Sequence, residues 1–121
     1  MVNQNWNKNT ACIDKVNTSA TMPNMDIHFE LNGDQFVWDE SKADTNWRKH
    51  GVRFEEAATV FEDPMFVMVD ASRNDESRDA VIGLDATGRL LYVVHIEFEA
   101  SFIRIISARR AEPEEELNYA N

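Results

Sequence analysis

Residues 26–64 read DIHFELNGDQFVWDESKADTNWRKHGVRFEEAATVFEDP. Two alternating runs, Ile27–Leu31 and Asp34–Trp38, flank Asn32-Gly33, a strong short-range signal for a β-hairpin. A two-residue turn pairs Leu31 with Asp34, Phe29 with Phe36 and Ile27 with Trp38. That register gathers Ile27, Phe29, Leu31, Phe36 and Trp38 on one face and leaves His28, Glu30, Gln35 and Val37 on the other. Turn type and apolar pattern therefore agree. Asp39 can cap a helix running to about His50, with Lys49 in its last turn and Gly51 at the left-handed C′ position. A second helix is predicted from about Phe54 to Glu62. Its buried stripe is Phe54, Ala57, Ala58 and Phe61, and Asp63-Pro64 ends it.

Downstream, strands are predicted at about 66–71, 78–85, 90–97 and 102–108. Pro113 suits the first position of a short final helix, with Glu114, Glu115 and Glu116 in the turn where the helix dipole favours acids. The pattern is α+β: a hairpin, two helices, a mainly antiparallel four-stranded run and a C-terminal helix. A two-residue turn at Thr87-Gly88 pairs Leu84 with Leu91, Ile82 with Val93, Ala80 with His95 and Arg78 with Glu97. A four-residue loop, Phe98–Ser101, pairs Glu97 with Phe102, His95 with Arg104 and Val93 with Ile106. One face then carries Leu90, Tyr92, Val94, Ile96, Ile103 and Ile105 as core. The other carries Arg78, His95, Glu97 and Arg104. A three-residue turn with a bulge at Gly88 would instead flip the parity of the strand holding Arg78.

The length of 121 residues allows one domain, and 43% hydrophobic residues exclude wholesale disorder. Residues 25–121 are expected to form that domain. The Asn-rich stretch 1–24 is read as an extension, or as a mis-assigned start with Met25 as the true one. A lone cysteine, Cys12, excludes a disulfide framework and a four-cysteine zinc site. LLYVV at 90–94 is too short to span a bilayer, and no secretory signal is visible, so a cytoplasmic protein is expected. The net charge of −10 argues against a general nucleic-acid coat. Its placement is uneven: net +1 over 1–24, −7 over 25–111 and −4 over 112–121.

Two arginines, a histidine and a glutamate on one sheet face suit a phosphodiester. Arginine holds nonbridging oxygens, and glutamate or histidine moves the proton of a ribose 2′-hydroxyl. Cross-strand Arg–Glu pairs also serve simply to stabilise sheets. His28, His50 and His95 lack helical i, i+4 partners or cysteine companions, so no metal is expected. There is no Gly-rich phosphate loop and no G-x-S-x-G turn, and no cofactor is expected.

The run FVWDESKADTNWRKHGVRFEEAATVFEDP, residues 36–64, resembles the BrnT toxin family. The F-x-W-D-x-x-K pattern stands at Phe36, Trp38, Asp39 and Lys42. N-x-x-K-H-G-V-x-F-E-E-A stands at Asn46, Lys49, His50, Gly51, Val52, Phe54, Glu55, Glu56 and Ala57. A middle pattern falls on Glu76, Arg78, Ile82 and Gly83, and a late one, RIISARRA, on 104–111. Glu116 and Tyr119 follow the same resemblance, which covers about residues 26–119.

The resemblance implies a RelE-like fold and a type II toxin that slows growth by cutting RNA without a metal. It further implies neutralisation by a BrnA-like ribbon-helix-helix antitoxin, with operator DNA reached only through that partner. Motif positions nominate Lys49, His50, Arg78, Arg104, Arg109 and Arg110, with Glu97 and His95 added from the register. The expected catalytic set is Arg78, Arg104, Arg110, Lys49, His95 and Glu97. His50 is read as a helix cap, and Arg109 as a partner for an acid at the strand end. Strong acidity is the departure from a basic ribonuclease toxin. It motivates the alternative of a catalytically weak antitoxin-binding co-repressor, or a small domain with an unrelated partner.

Overall fold

The hairpin forms as its alternation dictates. Strands β1 (Asp26–Leu31) and β2 (Asp34–Asp39) pair antiparallel, with Leu31 opposite Asp34, Phe29 opposite Phe36 and Ile27 opposite Trp38. Asn32 and Gly33 both take positive φ, 51° and 90°, the turn that matches strand twist. The computed structural model describes residues 25–120 other than Asp75 and Ala100. The expected extension, 1–24, lies outside the described residues.

Helix α1 (Glu40–His50) starts where Asp39 accepts the amides of Ser41 at 2.8 Å and Lys42 at 3.1 Å. It ends at Gly51, whose φ of 69° lets its N–H reach the Trp47 carbonyl. The predicted second helix divides into α2 (Phe54–Ala58) and a 3-10 turn (Thr59–Glu62). At the junction the Thr59 hydroxyl donates to the Glu56 carbonyl at 2.6 Å and competes with the helical ladder. The tighter winding buries Val60 and leaves Phe61 only partly covered.

Strands β3 (Val67–Asp70), β4 (Asp79–Leu84), β5 (Leu90–Phe98) and β6 (Phe102–Arg110) precede α3 (Pro113–Ala120). The six strands make one mixed sheet in the order β1-β2-β6-β5-β4-β3. Only β2 and β6 run parallel; β6 returns beside the hairpin and joins it to the later strands. The fold is α+β, and among the described residues no helix is long and apolar enough to cross a membrane.

Helix α2 and the 3-10 turn cover one sheet face, while α1 runs along β6 past the end of its pairing with β2. Phe36, Trp38, Val81, Leu91, Val93, Ile103, Ile105 and Ala108 meet Val52, Phe54, Ala57, Ala58 and Val60 there in a single core. Trp38 meets the Phe54 ring edge-on at 5.7 Å. Asn46 of α1 is buried and pins this layer. Its amide donates to the Val52 and Ala108 carbonyls at 2.9 and 2.8 Å, and its oxygen accepts the Ala108 amide at 3.0 Å. Gly83 of β4 permits close packing, since a Cβ there would lie 2.8 Å from Val60.

The predicted register of the last three strands is one residue out at both turns. Leu84 pairs with Leu90, not Leu91, and Asp79, not Ala80, lies opposite His95. The cause is a three-residue turn bounded by Asp85 and Arg89, with Gly88 at φ 92°. The Asp85 carboxylate builds it by accepting from the Thr87 amide and hydroxyl and from the Arg89 amide, at 2.8–2.9 Å. At the next turn Phe98 pairs with Phe102 and Ile96 with Arg104. A bulge in β6 then leaves Ile106 over and sets Val93 opposite Ala108, not opposite Ile106 as expected.

Parity therefore changes. Arg78 directly precedes β4, and extending the Asp79–His95 pairing by one step sets it toward Ile96, on the other face from His95. The expected core row also divides: Ile103 and Ile105 stay on the helix side with Leu91 and Val93. Leu90, Tyr92, Val94 and Ile96 point to the second face, where they are half-buried.

Candidate functional site

The second face is partly covered by α3 at its β4 end. At the opposite end Arg78 and Arg104 stand in one cross-strand row, either side of Ile96. Two strand spacings separate their backbones, about 10 Å, within reach of two arginine side chains converging on one anion. Arg104 bonds Asp26 of β1 at 3.1 and 3.4 Å, reaching across Val37 of β2, whose own β1 partner is His28, two residues from Asp26. Arg78 is held by Glu76, and its Nε is buried with no hydrogen-bond partner among the described residues.

Lys42 joins this cluster from the first turn of α1. Burial lowers its ammonium below the ordinary value of 10.5. Asp39 and Glu76 oppose the shift, while the nearby positive charges of Arg78 and Arg104 reinforce it. Three cations and the carboxylates of Asp26, Asp39 and Glu76 thus share one end of the face, nearly neutral in sum. Lys42 was absent from the predicted catalytic set. Its signal was the D-x-x-K spacing, since the Asp39 cap fixes where the third residue of the helix begins.

The other predicted residues lie elsewhere. His95 is fully buried on the helix side, edge-on to Phe61 at 5.0 Å, with Nδ1 3.4 Å from the Val93 carbonyl. Burial pushes its pKa below 6.5, against the Val93 carbonyl and the charges of Glu97 and Asp79. It is a neutral core group, and the shared face with Arg78 and Arg104 is corrected. Glu97 is exposed on that same helix side, opposite Ile103. Arg110 is also corrected: the β6 bulge places it opposite Leu91, six residues along β6 from Arg104 and on the other face. Lys49 sits exposed in the last turn of α1, beside His50 and at the far end of the helix from Lys42. Arg109 bonds Glu115 bidentately at 2.9 and 2.8 Å, as an acid partner at the strand end requires, but it lies on the second face.

An open groove of about 400 Å³, lined in part by Leu31, Glu62, Asp63 and Asp85, lies away from the three cations. Its carboxylates suit a polyanion poorly. Among the described residues no group of three or more His, Cys, Asp or Glu is placed to hold a metal. The Arg78–Arg104–Lys42 row is the arrangement with phosphate chemistry in it.

The family model described as a ribonuclease toxin, BrnT, of type II toxin–antitoxin systems matches residues 38–115. No curated protein matches the chain. Among solved structures, the Brucella abortus ribonuclease toxin BrnT is similar, with a TM-score of 0.47 and 23% identity. That likeness covers 62% of this chain and 92% of the Brucella chain.

Proposed function

The chain belongs to the BrnT family of ribonuclease toxins of type II toxin–antitoxin systems, and from that premise we propose that it is an endoribonuclease working on the Arg78–Arg104 face. The supporting observation is that these arginines flank β5 on one face of the sheet, with Lys42 beside them. The two guanidinium groups bind nonbridging phosphate oxygens and offset the charge that grows as the ribose 2′-oxygen attacks phosphorus. Lys42, standing beside both arginines, takes the 2′-hydroxyl proton in this scheme, since its pKa is shifted downward, toward the range in which an amine acts as a base. The bond from phosphorus to the 5′-oxygen breaks, leaving a 2′,3′-cyclic phosphate, and water protonates the leaving oxygen. The nucleophile belongs to the RNA itself, so this scheme uses no metal.

The fold is read as RelE-like and the compartment as cytoplasm. A BrnA-like ribbon-helix-helix antitoxin is the neutralising partner, and operator DNA is contacted through it alone. One observation favours a second reading. Both arginines already hold carboxylates, Asp26 and Glu76, which compete with phosphate. A weak enzyme acting chiefly as an antitoxin-binding co-repressor would carry such pairs.

Inducible expression beside an RNA cleavage assay in a metal chelator separates the readings. The native chain is expected to arrest growth and cut RNA in chelator, and Arg78→Ala/Arg104→Ala to do neither. Equal harmlessness of both, with no cleavage by either, rejects the nuclease. Cleavage that chelator abolishes rejects the metal-free scheme.

A further inference from the structure

Beside Arg104 the same open face carries three rings. Phe98 and Phe102 face each other across the β5–β6 turn, with centroids 5.6 Å apart and planes 23° apart. His28 of β1 meets Phe102 edge-on at 6.5 Å. The Arg104 guanidinium lies over the Phe98 ring at 5.7 Å. His28 is exposed and both phenylalanines are only half-buried. Their position follows from register: Phe98 pairs Phe102, Phe102 pairs Gln35, and His28 sits two residues along from that row.

We infer that Phe98, Phe102 and His28 form a base-stacking subsite that seats an unpaired nucleobase beside the phosphate held by Arg104. It rests on the nuclease reading above and adds the form of the substrate: single-stranded RNA with a base turned out of its stack. Two features choose RNA over an apolar peptide. Cations adjoin the rings, so a ligand with a flat π-face next to a negative charge satisfies both at once. Ring stacking is also tolerant of base identity, and it adds affinity where the near-neutral charge of the cluster adds little. Acids at the rim, Glu30 and Asp26, disfavour long runs of backbone contact, so one or two nucleotides carry the binding.

The test uses the full chain and a short fluorescein-labelled RNA whose 2′-O-methyl groups prevent cleavage. A second probe replaces its central bases with abasic sites. Anisotropy titrations are expected to show binding weaker by about tenfold for the abasic probe. Phe98→Leu should lose a similar factor on the intact probe and no longer distinguish the two, while Phe98→Tyr restores the distinction. Thermal melts of Phe98→Leu and Phe98→Tyr exclude unfolding as the cause. Equal binding of both probes by the native chain overturns the subsite. So does Phe98→Leu losing antitoxin capture while binding RNA normally, which would make the rings a protein contact. Cleavage that ignores base content removes the subsite and leaves the nuclease standing. Base-dependent binding without cleavage keeps the subsite and removes the nuclease.

Discussion

Strand β6 carries an arginine near each end of the same sheet face, and the two are held differently. Arg109 lies 4.3 Å from the Tyr92 ring centroid and is clamped by both oxygens of Glu115, with a further bond to the Arg110 carbonyl at 3.0 Å. The bonded Glu115 raises its pKa against burial, and Glu115 itself is lowered: burial raises it, but the Arg109 bond and the Glu112 amide outweigh that. Arg104 has one carboxylate partner, at 3.1 and 3.4 Å, and it lies beside other cations. Identical side chains on one strand therefore divide into a staple for α3 and a group that can exchange its acid for a phosphate. How firmly the donors are engaged, not residue type, makes the difference: three bonds at 2.8–3.0 Å hold Arg109 and two at 3.1 and 3.4 Å hold Arg104.

The comparison is sharpest in paired substitutions. Arg104→Ala is expected to cut RNA cleavage by about a hundredfold or more, with melting temperature nearly unchanged. Arg109→Ala should do the reverse: a loss of about 1–2 kcal/mol in urea unfolding, with cleavage intact in the folded protein. If Arg109→Ala abolished cleavage at full stability, the staple would be wrong. Asp26→Asn removes the competitor at Arg104, so RNA affinity should rise by a few fold and become more salt-sensitive. Unchanged affinity would mean that Arg104 does not meet the phosphate.

The smallest effect concerns His95. Its folded pKa lies below the ordinary 6.5, so the unfolded chain binds the proton first. Its stabilising contribution is whole above pH 6.5 and falls as pH drops from there toward the folded value. Melting temperature should therefore decline as pH falls below about 6.5, and His95→Phe should flatten the decline. A smaller slope remains from His50, which burial, Lys49 and Arg109 also lower. An imidazole acting at the RNA site would instead tie that variant to lost cleavage.

Local chemistry made much of the fold legible. Asn32-Gly33 dictated the hairpin and its pairs, and Asp39 and Gly51 bounded α1 as expected. The strands appear within a few residues of their predicted spans. The candidate site was legible only in part. Arg78 and Arg104 do share a face, but His95 and Glu97 do not share it, and Lys42 went unselected because a helix cap hides its neighbours across the sheet. Acidity sharpened too: Asp26, Asp39 and Glu76 bring negative charge to the cations themselves, not only to the C-terminal helix.

By itself, the sequence determined the elements, their order and the family motifs, because apolar period, caps and turn residues act over a few neighbouring positions. Tertiary structure decided which side chains meet. Strand parity has a period of two, so the extra residue in the Asp85–Arg89 turn and the one at Ile106 each exchange the faces of everything beyond them. Those residues are accommodated by partners distant in the chain: Asp85 and Arg89 bond Glu56 and Gly51 through the arginine, and Asn46 secures Ala108 beside the bulge.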